Sequence, residues 1–262
     1  MTASTQAPGP ATGAGSTNPK VKDVRFRVFR WKQGDAAPHH DEFSVPIGKP
    51  STVLDALTQI RVRQDSSLNL RHSCCHASCG TCGMRVNGKD VLACVTNVAD
   101  LGADIVTVEP LLNAPVVSDL VVDMSEFYEA FNPMDRPLVR SSEKIPEAGV
   151  PEGLAEYQRY EDCLECGICV SACPVASTDP HYLGPAALAA AFRVLEEPRG
   201  ADPKRDLRLA DDEHGIWRCH VAFECTEACP SGVEPARAIM ALRRKAVGAR
   251  LARLGFGKGG AR

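Results

Sequence analysis

Eleven of the twelve cysteines in this chain fall into three patterned groups. One run reads CLECGICVSACP, with Cys163, Cys166, Cys169 and Cys173 at x2-x2-x3 spacing and Pro174 after the last. A second, CHVAFECTEACP, carries Cys219, Cys225 and Cys229 before Pro230 but has Ala222 where a fourth cysteine would complete the pattern. Nearer the N-terminus, Cys74, Cys79 and Cys82 stand at C-x4-C-x2-C, with Cys94 further on. Thiolates at the first spacing are the bacterial ferredoxin run, and those at the third are the plant-type spacing of a 2Fe–2S site. Zinc sites come instead as paired CxxC units across a spacer, so iron–sulfur chemistry is the stronger reading.

In two-cluster ferredoxins the cysteine before proline serves the other cluster of the pair. Crossing the assignments gives Cys163, Cys166, Cys169 and Cys229 to one site, four thiolates for a 4Fe–4S cluster. Cys173, Cys219 and Cys225 form the other, three thiolates that suit a 3Fe–4S cluster, because the methyl group of Ala222 cannot hold iron. A 4Fe–4S cluster completed by water or Glu224 is the alternative there. Fewer irons and thiolates change net charge, one of the levers on cluster potential. At the 2Fe–2S site, Cys74, Cys79, Cys82 and Cys94 are the ligands. A short loop turns its amides toward the sulfurs, and Gly80 and Gly83 let the backbone come close. Cys75 is left as a non-ligand, and His72 and His76 read as loop-surface residues rather than Rieske-type ligands.

The elements that must hold these groups are legible in part. VRFRVFRW alternates, with Val24, Phe26, Val28 and Arg30 on one face, and EFSVPI is its hairpin partner. Ser51 to Ile60 is a helix capped by Ser51 or Thr52. The metal loop runs from Arg71 to Gly83, and MRVNGKDVLAC turns at Asn87-Gly88. IVTVEPL is the last strand of this half. Prolines at 133, 137, 146 and 151 mark an extended connection from Asn132 to Glu152. Leu154–Asp162, Leu183–Leu195 and Pro235 to about Leu254 are helical, with the two ferredoxin-like runs at helix ends. The expected layout is a disordered tail over 1–20, an α+β 2Fe–2S domain over 21–120, a helical domain over 121–255 with the other two clusters, and a basic tail over 256–262.

Bulk properties narrow the function. A formal net charge of −3 argues for no nucleic-acid partner. No apolar run approaches the roughly 20 residues that span a bilayer, GPAALAAAF being the longest candidate, and no signal-peptide pattern opens the chain. A reducing compartment is expected, in which thiols bind metal rather than each other. No dinucleotide, Walker, GxSxG or HExxH motif is present, so the clusters carry single electrons for another protein.

The order and spacing of these motifs resemble the iron–sulfur subunit of succinate dehydrogenase and fumarate reductase, the B subunit of respiratory complex II. RHSCCHASCGTCGMRVNG, the LAC ending at Cys94, CLECGICVSACPV, LGPAALAAAFR, WRCH and ECTEACPSGVEPARAI carry the resemblance, which covers residue 23 to about 245. It implies a β-grasp plant-type ferredoxin domain followed by an all-α, α-helical ferredoxin domain. It implies electrons passed from FAD on a partner flavoprotein through the 2Fe–2S, 4Fe–4S and 3Fe–4S clusters to a quinone beside membrane-anchor subunits. No dicarboxylate site is then expected on this chain, which would lie peripherally on the cytoplasmic face of a bacterial inner membrane. Pro174, Ser177 and His220 are the implied quinone-side positions. Ser177 and Thr178 replace the Trp pair of the ubiquinone-linked pattern, which favours menaquinone. The resemblance implies a succinate:quinone oxidoreductase, with fumarate reduction the alternative, since the same clusters serve both directions.

Other features have plainer readings. Trp217 is expected in the core, and His220 either hydrogen-bonds backbone or lies near the quinone. Arg71 donates to cluster sulfurs, faces the flavoprotein or is simply solvated. The C-terminal helix, with Ile239, Leu242, Val247 and Leu251 and no acidic residue after Glu234, presents basic charge to solvent or to anionic headgroups. An iron–sulfur adaptor of another flavoenzyme or of a heterodisulfide-reductase-like complex, and a zinc-stabilised interaction module, are the competing functions.

Overall fold

The computed structural model describes residues 22–48, 51–133, 158–196 and 203–254. The N-terminal tail, the connection from residue 134 to 157 and the last eight residues lie outside them.

Alternating apolar residues build the first half around one mixed sheet. β1 (Lys22–Arg30) and β2 (His39–Ile47) form the expected antiparallel hairpin. β3 (Gly83–Val86) and β4 (Lys89–Leu92) form another, and Asn87 and Gly88 both take the left-handed conformation that their two-residue turn requires. β5 (Ile105–Glu109) lies between the hairpins, parallel to β1 and antiparallel to β3, giving the order β2-β1-β5-β3-β4. α1 (Val53–Arg63) packs Val53, Leu54, Ala56, Leu57 and Ile60 into the same core as Val24, Phe26, Val28, Val106 and Val108. Its entry is fixed by a capping box. The Thr52 side chain accepts from the Asp55 amide while Asp55 accepts from the Thr52 amide.

β5 is not the last strand. A short hairpin of β6 (Val116–Ser118) and β7 (Val121–Val122) follows, then α2 (Ser125–Glu129). This hairpin is held less by its own strands than by a buried charge. Asp119, at its turn, accepts from Arg30 Nε at 3.1 Å, from the Trp31 amide at 3.2 Å and from the Asn69 amide at 2.8 Å. Arg30 also pairs with Asp41 and Asp65 and donates to Ser67. The inward-facing arginine of β1 therefore ends the apolar stripe as the hub of three carboxylates.

The second half is helical. α3 (Ile168–Ser171) and α6 (Glu224–Glu227) are single turns inside the two cysteine runs. α4 (Gly184–Glu196) is buried along most of its length, and α5 (Pro203–Ala210) and α7 (Pro235–Arg253) pack against it. Leu188, Phe192, Ile239 and Leu242 make the centre of this core. Arg159–Asp162 is a 3-10 turn, and residues 154–157 of the expected helix there are outside the described set. Trp217 is not in the core. It is 38% exposed, donates to Asp211 at 2.6 Å and lies 5.7 and 5.3 Å from the guanidinium groups of Arg243 and Arg250. On α7, Ile239 and Leu242 are buried while Val247 and Leu251 are exposed, so the apolar positions read from sequence do not share one face. Among the described residues no helix is long and apolar enough to cross a membrane.

The halves interlock. Ile168 of α3 is fully buried in the sheet domain's core, a burial worth roughly 1.5–3 kcal/mol. Asn113 Nδ2 donates to the carbonyls of Val170, Ser171 and Cys173 at 2.8–3.2 Å. The Ser171 hydroxyl accepts from the Leu112 amide and donates to Asp90, whose own pKa is raised by burial.

Removing the Arg30 charge leaves Asp119 buried without its cation, a loss of about 3–5 kcal/mol. Arg30→Met is expected to lower the urea midpoint of the sheet domain accordingly, read from far-UV circular dichroism; an unchanged midpoint would show that Asp119 is satisfied by backbone amides alone.

Candidate metal centres

None of the twelve cysteines is in a disulfide, and eleven of them gather at three places. The first is the loop between α1 and β3. Amides of His76, Ser78 and Cys79 point at Cys74 Sγ at 3.5, 3.3 and 3.3 Å, and the Ala77 amide points at Cys94 Sγ at 3.3 Å. Cys75, Ala77 and Gly80 take positive φ, which turns the amides inward. Cys82 and Cys94 are buried at the base of the loop. Burial pushes the Cys82 thiol up to about 12, whereas hydrogen bonds from the Thr81 hydroxyl and then from backbone amides draw Cys79 down to about 6. Cys75, His72 and His76 are exposed residues.

The second and third groups come from the two long runs, and each mixes residues of both. Cys163, Cys166, Cys169 and Cys229 line one cavity of about 390 Å³. Cys173, Cys219 and Cys225 line another of about 310 Å³, with Ala222 and Glu224 on its wall. The cysteine before each proline thus faces the other run's cavity. Burial raises the thiols of Cys163 and Cys173 and pushes Cys166 to about 11 and Cys225 to about 12, with Cys169 raised further still. Thiols this reluctant to ionise alone become thiolates where a bound cation compensates them.

Both runs share one backbone trace. Glu165 and Gly167 take positive φ (50° and 80°), and so do Val221 and Phe223 (61° and 66°) at the equivalent places. Positive φ costs glycine nothing, but it is an outlier for a β-branched valine and a bulky phenylalanine. The Val221 amide consequently reaches Cys219 Sγ at 3.3 Å. Strain held beside three thiols is what a loop wrapped on a metal–sulfur group displays.

Neighbouring elements fix the two cavities. Asp179, 8% exposed, accepts from His214 Nδ1 and pairs with Arg218 Nε, both at 2.9 Å. The Leu183 amide donates to the His214 carbonyl at 2.9 Å. These contacts bind the stretch after Cys173 to the stretch before Cys219. Arg243 of α7 donates to the carbonyls of Ile216 and Cys219, and the Thr226 hydroxyl accepts from the Ala236 amide at the start of α7. Tyr182 also lines the third cavity, its hydroxyl held protonated by burial and by the nearby thiols of Cys219, Cys173 and Cys225. Nothing in its sequence context distinguishes it.

Of the quinone-side positions, Pro174 and His220 line the third cavity and are exposed. Ser177 is exposed too, but its hydroxyl donates to the Pro174 carbonyl at 2.8 Å and it does not line the cavity.

Gly80 also serves a contact outside its own loop. A Cβ there would lie 2.7 Å from both Cys166 Cβ and the Leu164 carbonyl oxygen. A Cβ at Gly83 would lie 3.2 Å from the Cys166 carbonyl. The first metal loop therefore rests directly on a cysteine of the second cavity.

Residues 25–129 match the family described as 2Fe-2S iron-sulfur cluster binding domain, and residues 159–233 match the 4Fe-4S dicluster domain. The chain is 40% identical over 244 residues to the fumarate reductase iron-sulfur subunit of Mycobacterium tuberculosis, covering 90% of this chain and 98% of that one. It is 35% identical over 225 residues to the corresponding subunit of Escherichia coli O6:H1, with 84% and 91% covered. It is 33% identical over 228 residues to a mitochondrial succinate dehydrogenase [ubiquinone] iron-sulfur subunit of Oryza sativa, with 84% and 80% covered. In three dimensions it superposes on a chain of the Mycobacterium smegmatis Sdh1 complex in the apo form with a TM-score of 0.77 and 25% identity, covering 87% of this chain and 96% of that one.

Crowding at Gly80 can be separated from its φ of +70° by comparison with Gly102, which has a φ of +59° but no atom within 4 Å of its Cβ position. Gly80→Ala is expected to cost about 1–3 kcal/mol more than Gly102→Ala and to loosen the contact between the halves, read as faster limited proteolysis. Equal effects of the two substitutions would locate the cost in backbone conformation instead.

Proposed function

The chain belongs to the family of fumarate reductase and succinate dehydrogenase iron–sulfur subunits, and from that membership we propose how its residues divide the work. Its function is electron transfer within the oxidoreductase complex of that family. The 2Fe–2S site is Cys74, Cys79, Cys82 and Cys94; the 4Fe–4S site is Cys163, Cys166, Cys169 and Cys229; the 3Fe–4S site is Cys173, Cys219 and Cys225. When bound, the clusters supply one-electron carriers of different net charge and hence different potential. The chain's own residues hold sulfur in place, aim amides at it and exclude water from it.

One observation carries this reading: the ring of Cys173, Cys219 and Cys225 has Ala222 at the place where the sister run has Cys166. Three thiolates and a methyl group suit a cluster lacking one iron. The same backbone trace in both runs supports it, because the loop around Ala222 retains the strained φ values of a loop that wraps a cluster. The residues fit such groups in number, type and burial.

The mixed sheet with α1 across it reads as a β-grasp ferredoxin domain over residues 21–120, and the part over 121–255 as an α-helical ferredoxin. A flavoprotein carrying FAD is the partner on the electron-donating side, and membrane-anchor subunits with a quinone, menaquinone in this reading, lie beside the third ring. Pro174, Ser177 and His220 are the quinone-side positions, supported by the exposure of all three and by the place of Pro174 and His220 on the third cavity's wall. The chain would then sit at the cytoplasmic face of the membrane through those anchors.

Restoring the absent thiolate tests the scheme. Ala222→Cys is expected to abolish the 3Fe–4S EPR signal of the oxidised protein and to raise iron by one atom above the roughly nine per chain expected of the three clusters. An unaltered EPR spectrum, with iron content unchanged, would mean that position 222 does not face the cluster.

A further inference from the structure

The wall of the third cavity holds a polar group that the ligand set does not use. Among the described residues there, three side chains besides the cysteines are polar: Tyr182, His220 and Glu224. His220 and Glu224 are exposed. Tyr182 is partly buried and packs against the core of the helical half, with Leu188, Ile216 and Ile239. Its backbone is fixed. The Tyr182 amide donates to the Asp179 carbonyl at 3.2 Å, and the next amide, that of Leu183, donates to the His214 carbonyl at 2.9 Å. The second of these bonds ties the tyrosine to the segment that leads into Cys219. The Tyr182 hydroxyl is hydrogen-bonded to the Cys219 side chain. A phenol keeps its proton at neutral pH, so the hydroxyl is the donor and the sulfur the acceptor. The same sulfur accepts from the Val221 amide at 3.3 Å.

We propose that Tyr182 tunes the third metal centre, its hydroxyl donating to the Cys219 thiolate on the wall of the shared cavity and thereby raising that centre's reduction potential. The proposal rests on the cluster assignment above and gives a role to a residue outside every ligand set. Reduction adds one negative charge to a cluster and its thiolates, and part of that charge falls on the ligand sulfurs. A hydrogen bond to an ionised acceptor strengthens as the acceptor gains charge, so a fixed donor favours the electron-loaded form, and hydrogen bonds to sulfur are among the levers on cluster potential. The partly buried position matters, because a donor shielded from water acts through a lower local dielectric than the exposed His220 or Glu224 would. Tyr182 is not on the wall of the second cavity, and the first metal loop belongs to the other half of the chain, so its effect is confined to the third centre.

The test is a redox titration of the assembled complex, with each cluster followed by EPR and iron content measured, for the wild type, Tyr182→Phe and Tyr128→Phe. Tyr182→Phe keeps the ring and removes only the donor. It should keep its iron, yet the reduced-to-oxidised ratio of the third cluster at the wild-type midpoint should fall about tenfold, a shift of about 59 mV for a one-electron couple. The first and second clusters should not move. Tyr128, exposed on α2 and absent from the third cavity's wall, is the control, and its loss of a hydroxyl should leave all three midpoints unchanged. A fall of less than about threefold in loaded Tyr182→Phe overturns the proposal, as does an equal shift at all three clusters. Should Tyr182→Phe fail to hold iron, 3-fluorotyrosine at position 182 decides. Its more acidic hydroxyl is a stronger donor and should raise the ratio at least about twofold, and a ratio at or below wild type overturns the proposal. A wild-type complex with no third-cluster signal refutes the cluster assignment and the proposal with it, an outcome distinct from a loaded cluster whose midpoint stays put.

Discussion

The contact on which the rest depends is the one between Gly80 and Cys166. Two metal-binding loops from different halves of the chain meet there with room for a hydrogen atom but not for a methyl group. Electron exchange between separate sites demands proximity, and proximity here is a packing problem. Ile168 is buried in the sheet domain's core, Asn113 binds three carbonyls of the second run, and Ser171 links Leu112 to Asp90. Each of these contacts lies within a few residues of a cysteine. The interface between halves and the architecture of the metal sites are therefore one structure.

Within the helical half, economy comes from repetition. One backbone trace, with left-handed residues immediately before and after Cys166 in one run and Ala222 in the other, is used twice. The first copy uses Gly167 where the second uses Phe223, and Glu165 where the second uses Val221. The second copy is thus the more strained of the two, and it is also the one with three thiols rather than four. The strain is offset by fixing from outside: Arg243 holds the Ile216 and Cys219 carbonyls, and Asp179 ties the incoming segment to His214 and Arg218. A loop that pays for an awkward backbone in this way is one whose shape is required.

Burial has opposite consequences for thiols and for cations in this fold. It drives six of the twelve cysteine thiols toward their protonated form, so the rings await a positive metal. Arg30 is a cation met by three carboxylates and the Ser67 hydroxyl, and it pins a hairpin.

Much of this was readable in the sequence. The β1–β2 and β3–β4 hairpins, α1 with its Thr52 cap, α4 and α7 stand where periodicity and turn residues put them, because those signals act over a few residues. The grouping of the cysteines and the odd position of Ala222 are likewise matters of local spacing. What sequence reading misplaced depends on partners distant in the chain. Trp217 was expected in the core and is exposed beside two arginines of α7, the β6–β7 hairpin carries Asp119 to Arg30, and Gly80 makes room for Cys166 as well as turning its own loop. Composition and spacing thus determined which cysteines form the three candidate metal-binding groups. Only the tertiary structure decided which loops touch and which charges are paired, since burial and proximity belong to the packed chain and not to any short stretch of it.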